Sequence, residues 1–247
     1  MTQLRSARLR SSDHGFRSMG SLVCTLAILA LALLSGCGES GTKNRATELG
    51  ERSVADVSGI DHPASELYQT QCAACHAADA GGNAEQKAPA LTALAPWYIK
   101  RHLVYFRDGL RGTNDANDNS AAMAAASKSL SDTDIAGLAD YIQQLPHTAP
   151  VATVIGDAKR GEDYHRNLCS ACHGANGLGN EALGAPALVG LNDWYVVAQY
   201  QQFRAGDRGA HPDDRWGVQM VRLAPAVPEA EIVVDIAHYL NSLANAQ

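Results

Sequence analysis

Two five-residue clusters, Cys72-Ala73-Ala74-Cys75-His76 and Cys169-Ser170-Ala171-Cys172-His173, stand 97 residues apart and restrict this chain more than any other feature. The pattern Cys-x-x-Cys-His is the attachment site of c-type haem. Its spacing has a physical cause. Two thiols one helical turn apart reach the two vinyl groups of one porphyrin as thioethers, and the adjacent histidine then lies beneath the iron. Three other readings compete. Disulfides suit an oxidising compartment but leave His76 and His173 unexplained. A four-thiolate zinc site also makes both histidines coincidental. A dithiol oxidoreductase belongs near a βαβ pattern, and no strand alternation surrounds either cluster. The repeated five-residue pattern therefore predicts two covalently bound haem c groups.

The same 97-residue shift carries much more than the cysteines. Ala88-Pro89-Ala90-Leu91 falls on Ala185-Pro186-Ala187-Leu188, Trp97-Tyr98 on Trp194-Tyr195, and Phe106-Arg107 on Phe203-Arg204. Gly109 lands on Gly206, Arg111-Gly112 on Arg208-Gly209, and Met123 on Met220. Self-similarity of this kind marks two copies of one structural unit. A length of 247 residues with 46% hydrophobic and 19% charged residues is enough for two small packed cores and argues against global disorder.

The methionines point to the coordination. Of the four, Met1 and Met19 precede residue 37, which leaves Met123 and Met220, each 51 residues beyond the first Cys of its copy. A lone Met is usually a core filler. Two at equal spacing behind two haem motifs read as the distal iron ligands, paired with His76 and His173 as proximal ligands. Pro89 and Pro186 each follow the histidine by 13 residues. They fit either a simple turn or a backbone carbonyl that accepts the imidazole Nδ1–H and fixes the ring.

The remaining pattern is helical. Ser131 with Asp134 forms a capping-box start, followed by Ile135, Leu138, Ala139, Ile142 and Leu145 at helical spacing. In the second copy Pro228 suits a first helical position, and Ile232, Ile236, Tyr239, Leu240 and Leu243 continue the apolar face. Tyr141 meets Tyr239 at an offset of 98, so one extra residue enters this last helix. Middle helices are expected over about Trp97–Phe106 and Trp194–Phe203, with short helices near Ser65–Gln71 and Gly161–Leu168. The polar stretches 113–120 and 209–215, before each Met, read as surface loops.

The N-terminus reads as an export signal. Arg5, Arg8, Arg10 and Arg17 precede an apolar run, Leu22–Leu34, of 13 residues. A membrane-spanning helix needs about 20 apolar residues, whereas a signal core needs roughly 7–15. The run ends in Leu34-Ser35-Gly36-Cys37, which resembles the bacterial lipoprotein signal, with Cys37 as the lipidated residue. Gly38 stands where an inner-membrane retention signal usually shows Asp, which favours the outer over the inner membrane for a periplasmic, lipid-anchored protein. The chain thus divides into signal peptide 1–36, lipidated tether 37–60, a first haem domain 61–147 and a second 148–247. Removing 1–36 leaves 16 basic against 25 acidic residues, a formal charge of −9. That balance argues against nucleic acid and suits basic docking patches on redox partners.

With these residues in hand, the chain resembles the di-haem class I cytochromes c, of the cytochrome c4 type. The resemblance rests on C-x-x-C-H, A-P-x-L, W-Y, F-R-x-G-x-R-G, the Met and the terminal helix with its Tyr, and spans about residues 60–245. It implies an all-α fold of two tandem domains, each wrapped around one covalently bound haem, packed so that the haems exchange electrons. It also implies Met123 and Met220 as distal ligands. There are departures: Ala77 follows His76 where glycine is commoner, and Val227-Pro228-Glu229 replaces the usual Leu-Ser-Asp helix start.

Iron held by both His and Met leaves no position for a small-molecule substrate. A non-catalytic carrier that passes electrons between a respiratory donor and a terminal oxidase or reductase is therefore the first reading, either free-running or as the anchored cytochrome component of a larger enzyme. A di-haem peroxidase and a redox or gas sensor are the alternatives, and each needs an accessible iron. Of the other histidines, His62, His102, His147, His165, His211 and His238, those at 165 and 211 stand near haem-facing segments.

Overall fold

A computed structural model of the chain describes residues 54–113 and 118–245. The signal peptide, Cys37, most of the tether and residues 114–117 lie outside the described residues. The described residues belong to one unit, Glu51–Gln247.

In the first copy, α1 (Ser65–Gln71) runs into the one-turn α2 (Ala73–His76), followed by α3 (Pro96–Arg107), α4 (Asp118–Ser127) and α5 (Asp132–Ile142). The second copy repeats this order. It has α6 (Ala158–Tyr164), a π-helical turn (His165–Cys169), α7 (Ser170–His173), α8 (Asp193–Ala205), α9 (Arg215–Leu223) and α10 (Ala230–Ala244). Extended pairing among the described residues includes two isolated antiparallel bridges, Asn83 with Ala88 and Asn180 with Ala185. No described helix is long and apolar enough to cross a membrane.

Local signals set the ends of these helices. Pro96 opens α3 behind an extended Ala95, where its missing N–H costs nothing. Ser131 and Asp134 form the full capping box of α5. The Asp157 carboxylate accepts from the Lys159 and Arg160 amides at the start of α6. Pro228 departs from the expected first helical position. Glu229 is the N-cap of α10, with no side-chain cap bond, so the proline lies one residue before the N-cap.

Two further departures concern the segments before the methionines. Asp118–Ser127 and Arg215–Leu223 are helices, so only part of each polar stretch is loop. Asp214, expected in a surface loop, is buried and its Oδ1 accepts the Gly217 amide at 2.8 Å, which starts α9. The helix expected over Gly161–Leu168 is α6 continued by the π turn.

Each copy has its own core. Tyr68, Ile99, Leu138, Tyr141 and Ile142 anchor the first, and Val227, Ile232, Val233, Ile236 and Leu240 the second. Burying one such aliphatic side chain is worth about 1.5–3 kcal/mol. The two cores meet, because Leu191 is buried in the first cluster while Leu188 and Val196 pack against both. Polar contacts cross the same boundary. The Ala90 amide donates to Asn192 Oδ1 at 2.8 Å, and Arg101 Nη2 donates to the Gly184 carbonyl at 2.8 Å. The linker is tied down as well. The amides of Thr153 and Val154 both donate to Asp193 Oδ2, at 2.6 and 2.9 Å.

Candidate functional site

Cys72 closes α1, and the turn of α2 then places Cys75 and His76. The second copy does the same with Cys169 after the π turn and Cys172 and His173 in α7. None of these four cysteines is paired in a disulfide among the described residues; Cys72 and Cys169 are half-buried, Cys75 and Cys172 exposed. Burial pushes the Cys72 and Cys169 thiols up to about 11. Among the described residues no three His, Cys, Asp or Glu side chains come together as a metal cluster. The described geometry is therefore neither the disulfide nor the four-thiolate arrangement.

His76 and His173 are buried, and burial lowers the tendency of each to take a proton. His76 Nδ1 lies 2.9 Å from the Pro89 carbonyl, and His173 Nδ1 lies 2.8 Å from the Pro186 carbonyl. A carbonyl can only accept, so Nδ1 carries the proton and Nε2 keeps a free lone pair. Of the two roles open to the prolines, the carbonyl role is the one this geometry displays. The loops that bring them in are tight. Gly82 and Gly179 have φ of 82° and 83°, and a Cβ on either would lie 2.5 Å from the backbone nitrogen of Ala90 or Ala187.

Each histidine lines a cleft. The first, of about 1290 Å³, is bounded by Cys75, His76, Pro89, Phe106 and Met123 among others. The second, of about 1020 Å³, is bounded by Cys169, His173, Pro186, Ile236, Trp216 and Met220 among others. Met123 comes from α4 and Met220 from α9, so the two helices not expected from the sequence bring the methionines to the clefts. On α9, Trp216, Met220 and Leu223 share one face at helical spacing and all line the second cleft.

The wall between the clefts is a polar septum with no local signature in the sequence. Tyr98, His102, Tyr195 and Gln199 line both clefts or the boundary between them, with Arg111 in the first and Arg208 in the second. Arg111 stacks on Phe106 and Arg208 on Phe203, each at 4.4 Å from the ring centre. Their Nη groups donate to Gln199 Oε1 at 2.7 and 2.6 Å, and Arg208 Nη2 donates to the Tyr98 hydroxyl at 2.7 Å. The repeat held the signal for this septum, since Tyr98, His102 and Arg111 stand 97 residues before Tyr195, Gln199 and Arg208. His165 and His211, the two histidines near haem-facing segments of the sequence, do not line either cleft. His165 is fully buried, and half-exposed His211 lies beside Asp213.

The clefts suit a haem on four counts. Two thiols stand one turn apart, a neutral histidine keeps Nε2 available, and a methionine lines the same apolar space. Buried guanidinia, with Arg111 Nε and Arg208 Nε lacking partners among the described residues, fit the anionic propionate edge. Such a fold and site define a helical protein with two c-type haem domains. The family model described as Cytochrome c matches residues 62–146 and 158–244, and the chain belongs to this family, with two copies of its domain, and is similar to cytochromes c4. It carries two covalently bound haem c groups and transfers electrons.

Among curated relatives, a thiosulfate dehydrogenase electron acceptor of Stutzerimonas stutzeri is 31% identical over 182 residues, 69% of this chain and 78% of that protein. Cytochrome c4 of Stutzerimonas stutzeri is 27% identical over 167 residues, 62% of this chain and 79% of that protein. Among solved structures, cytochrome c4 of Acidithiobacillus ferrooxidans shares the fold with a TM-score of 0.55 at 24% identity, over 70% of this chain and 99% of that one.

Proposed function

We propose that Cys72 and Cys75 bind the first haem as thioethers, with His76 and Met123 as axial ligands. Cys169, Cys172, His173 and Met220 do the same for the second, in domains bounded near residues 61–147 and 148–247. One observation carries this reading: in each copy a histidine with a carbonyl-bound Nδ1 and that copy's described methionine line one cleft. Bound haem supplies the one-electron chemistry. The chain's own residues fix the imidazole, exclude water with apolar walls and fill both axial positions. Retaining both ligands through the cycle keeps reorganisation small and leaves nowhere for a substrate to bind. The protein is then a carrier between redox proteins, not an enzyme, a peroxidase or a sensor.

The relative's role as an electron acceptor for a dehydrogenase supports placing this chain downstream of a substrate-oxidising enzyme in the periplasm. The basic, apolar and Leu-Ser-Gly-Cys segments support export and a lipid anchor at Cys37, with the outer membrane favoured by Gly38. Single Met123→Ala and Met220→Ala variants test the ligation. Each should open one haem of the reduced protein to carbon monoxide, while the parent binds none. Carbon monoxide binding by the parent, together with peroxide turnover, would establish the enzyme reading instead.

A further inference from the structure

The septum is two-fold symmetric in its parts except at one pair. Tyr98 matches Tyr195, Phe106 matches Phe203 and Arg111 matches Arg208, but His102 matches Gln199. The two mismatched residues meet the same two guanidinia on different terms. Gln199 presents one carbonyl oxygen with two lone pairs, and both guanidinia donate to it. His102 faces Arg111 Nη1 with Nδ1 at 3.2 Å and Arg208 Nη2 with Nε2 at 3.4 Å.

A neutral imidazole has one acceptor nitrogen and one N–H. Burial first, then Arg208, Arg111 and Arg101, hold His102 well below its ordinary titration range, so it is neutral at pH 7. A guanidinium can only donate. One of the two contacts is therefore donor against donor, and the shorter one, to Arg111, is the hydrogen bond. The proton then sits on Nε2, toward Arg208, the guanidinium of the second cleft. The Nε2–H left over on the second-cleft side comes in addition to the Nε that Arg111 and Arg208 each carry without a partner among the described residues. Other charged or titratable groups around His102 are Tyr98 and Arg101 on its own helix, Tyr105 one turn on, Tyr195 across the boundary, and Asp214, which lines the second cleft.

We propose that His102 is a tuning residue for electron sharing between the haems: its tautomer makes the septum polar along the line joining the clefts, which biases the electron toward one haem. The inference rests on the reading that each cleft holds a ligated haem. It is tested by the partition constant of a single electron between the two haems, from separately resolved midpoint potentials of the holoprotein.

His102→Gln and Gln199→His each make this pair alike, one with two amides and the other with two imidazoles. Both should move the partition constant in the same direction, by about threefold to tenfold, the worth of one net hydrogen bond. The double exchange, His102→Gln with Gln199→His, should move it further the same way. Haem content and methionine ligation should match the parent in all three. Single variants that leave the constant unchanged, or shift it in opposite directions, overturn the proposal. Should His102→Gln not fold, Gln199→His alone decides: a shifted constant supports the proposal and an unshifted one overturns it. Loss of methionine ligation in the parent would instead refute the haem reading beneath it.

Discussion

The two copies solve the same packing problem with the residues exchanged. In each, the helix before the cysteines crosses the terminal helix too closely for two ordinary side chains. The first copy puts the small residue on the terminal helix, where Gly137 faces Ala64 and a Cβ would lie 3.2 Å from the Ala64 Cβ. The second puts it on the leading helix, where Gly161 faces the Asp235 backbone and a Cβ would lie 2.1 Å from the Asp235 carbonyl oxygen. Positions 64 and 161 are equivalent at an offset of 97, and 137 and 235 at 98. The crossing needs one small residue, and the repeat does not care which helix supplies it. The second copy has meanwhile built a polar clasp there. Asp235 accepts the Asp157 amide at 2.7 Å and pairs with Arg160.

Substitution should separate the two copies most widely at this crossing. Gly161→Ala drives a methyl into backbone and should cost about 3 kcal/mol, the upper end for overpacking, whereas Gly137→Ala meets only another methyl and should cost less than about 1 kcal/mol. Denaturant unfolding of the two holoprotein variants, followed by haem absorbance, measures the difference. Equal losses would mean that the crossings are not distinct.

A second contrast lies just after His76 and His173. Ala77 has φ 65° and ψ 159°, a region that is nearly closed to residues with a Cβ, whereas its counterpart Gly174 has φ 81° and ψ 152°. Ala77→Gly should stabilise the protein by about 1–3 kcal/mol, and Gly174→Ala should destabilise it by a similar amount. Thermal unfolding midpoints that move the other way would refute the strain at Ala77.

Much of this is legible in the chain, and what is not legible shares a cause. The cysteines, histidines and methionines stand out because their chemistry demands fixed spacings, and the α5 capping box because it is local. The helix α4 is hidden because its Asn- and Ser-containing start and alanine run carry no apolar stripe. The helix α9 is hidden because the buried Asp214 that caps it sits in a stretch that looks like solvent-facing loop. The septum is hidden because a buried arginine or tyrosine is indistinguishable from a surface one until a second domain covers it. His102 lacks a histidine counterpart in the repeat, which by sequence counts against a role, yet the glutamine at that position is what gives it meaning in the structure.

Acid should cost the protein stability through His102. His102 takes a proton in the folded protein only well below its ordinary 6.5, because it is buried and faces Arg208, Arg111 and Arg101. The unfolded chain binds that proton first as pH falls below 6.5, so the contribution is full above 6.5 and is lost between 6.5 and the depressed folded value. The loss should approach, at most, about 1.4 kcal/mol per pH unit, and His102→Gln should abolish it. Unfolding free energies at stepped pH, parent against variant, provide the check; parallel curves would contradict it.

The smallest expected effect is at the terminal helices, where α5 has its capping box and α10 has none. Ser131→Ala should cost about 1 kcal/mol, while Glu229→Asp, placed at an extended N-cap, should gain a few tenths up to about 1 kcal/mol. Thermal melts of the two variants report both signs.

The proposed His/Met coordination of both haem irons, the same in each copy despite these differences, is the central claim. Haem stoichiometry, combined with the near-infrared charge-transfer signal of the iron–methionine bond, tests this most directly. The expected result is two haems per chain and a signal that halves when either Met123 or Met220 is replaced. One haem per chain, or a signal indifferent to both replacements, would contradict it.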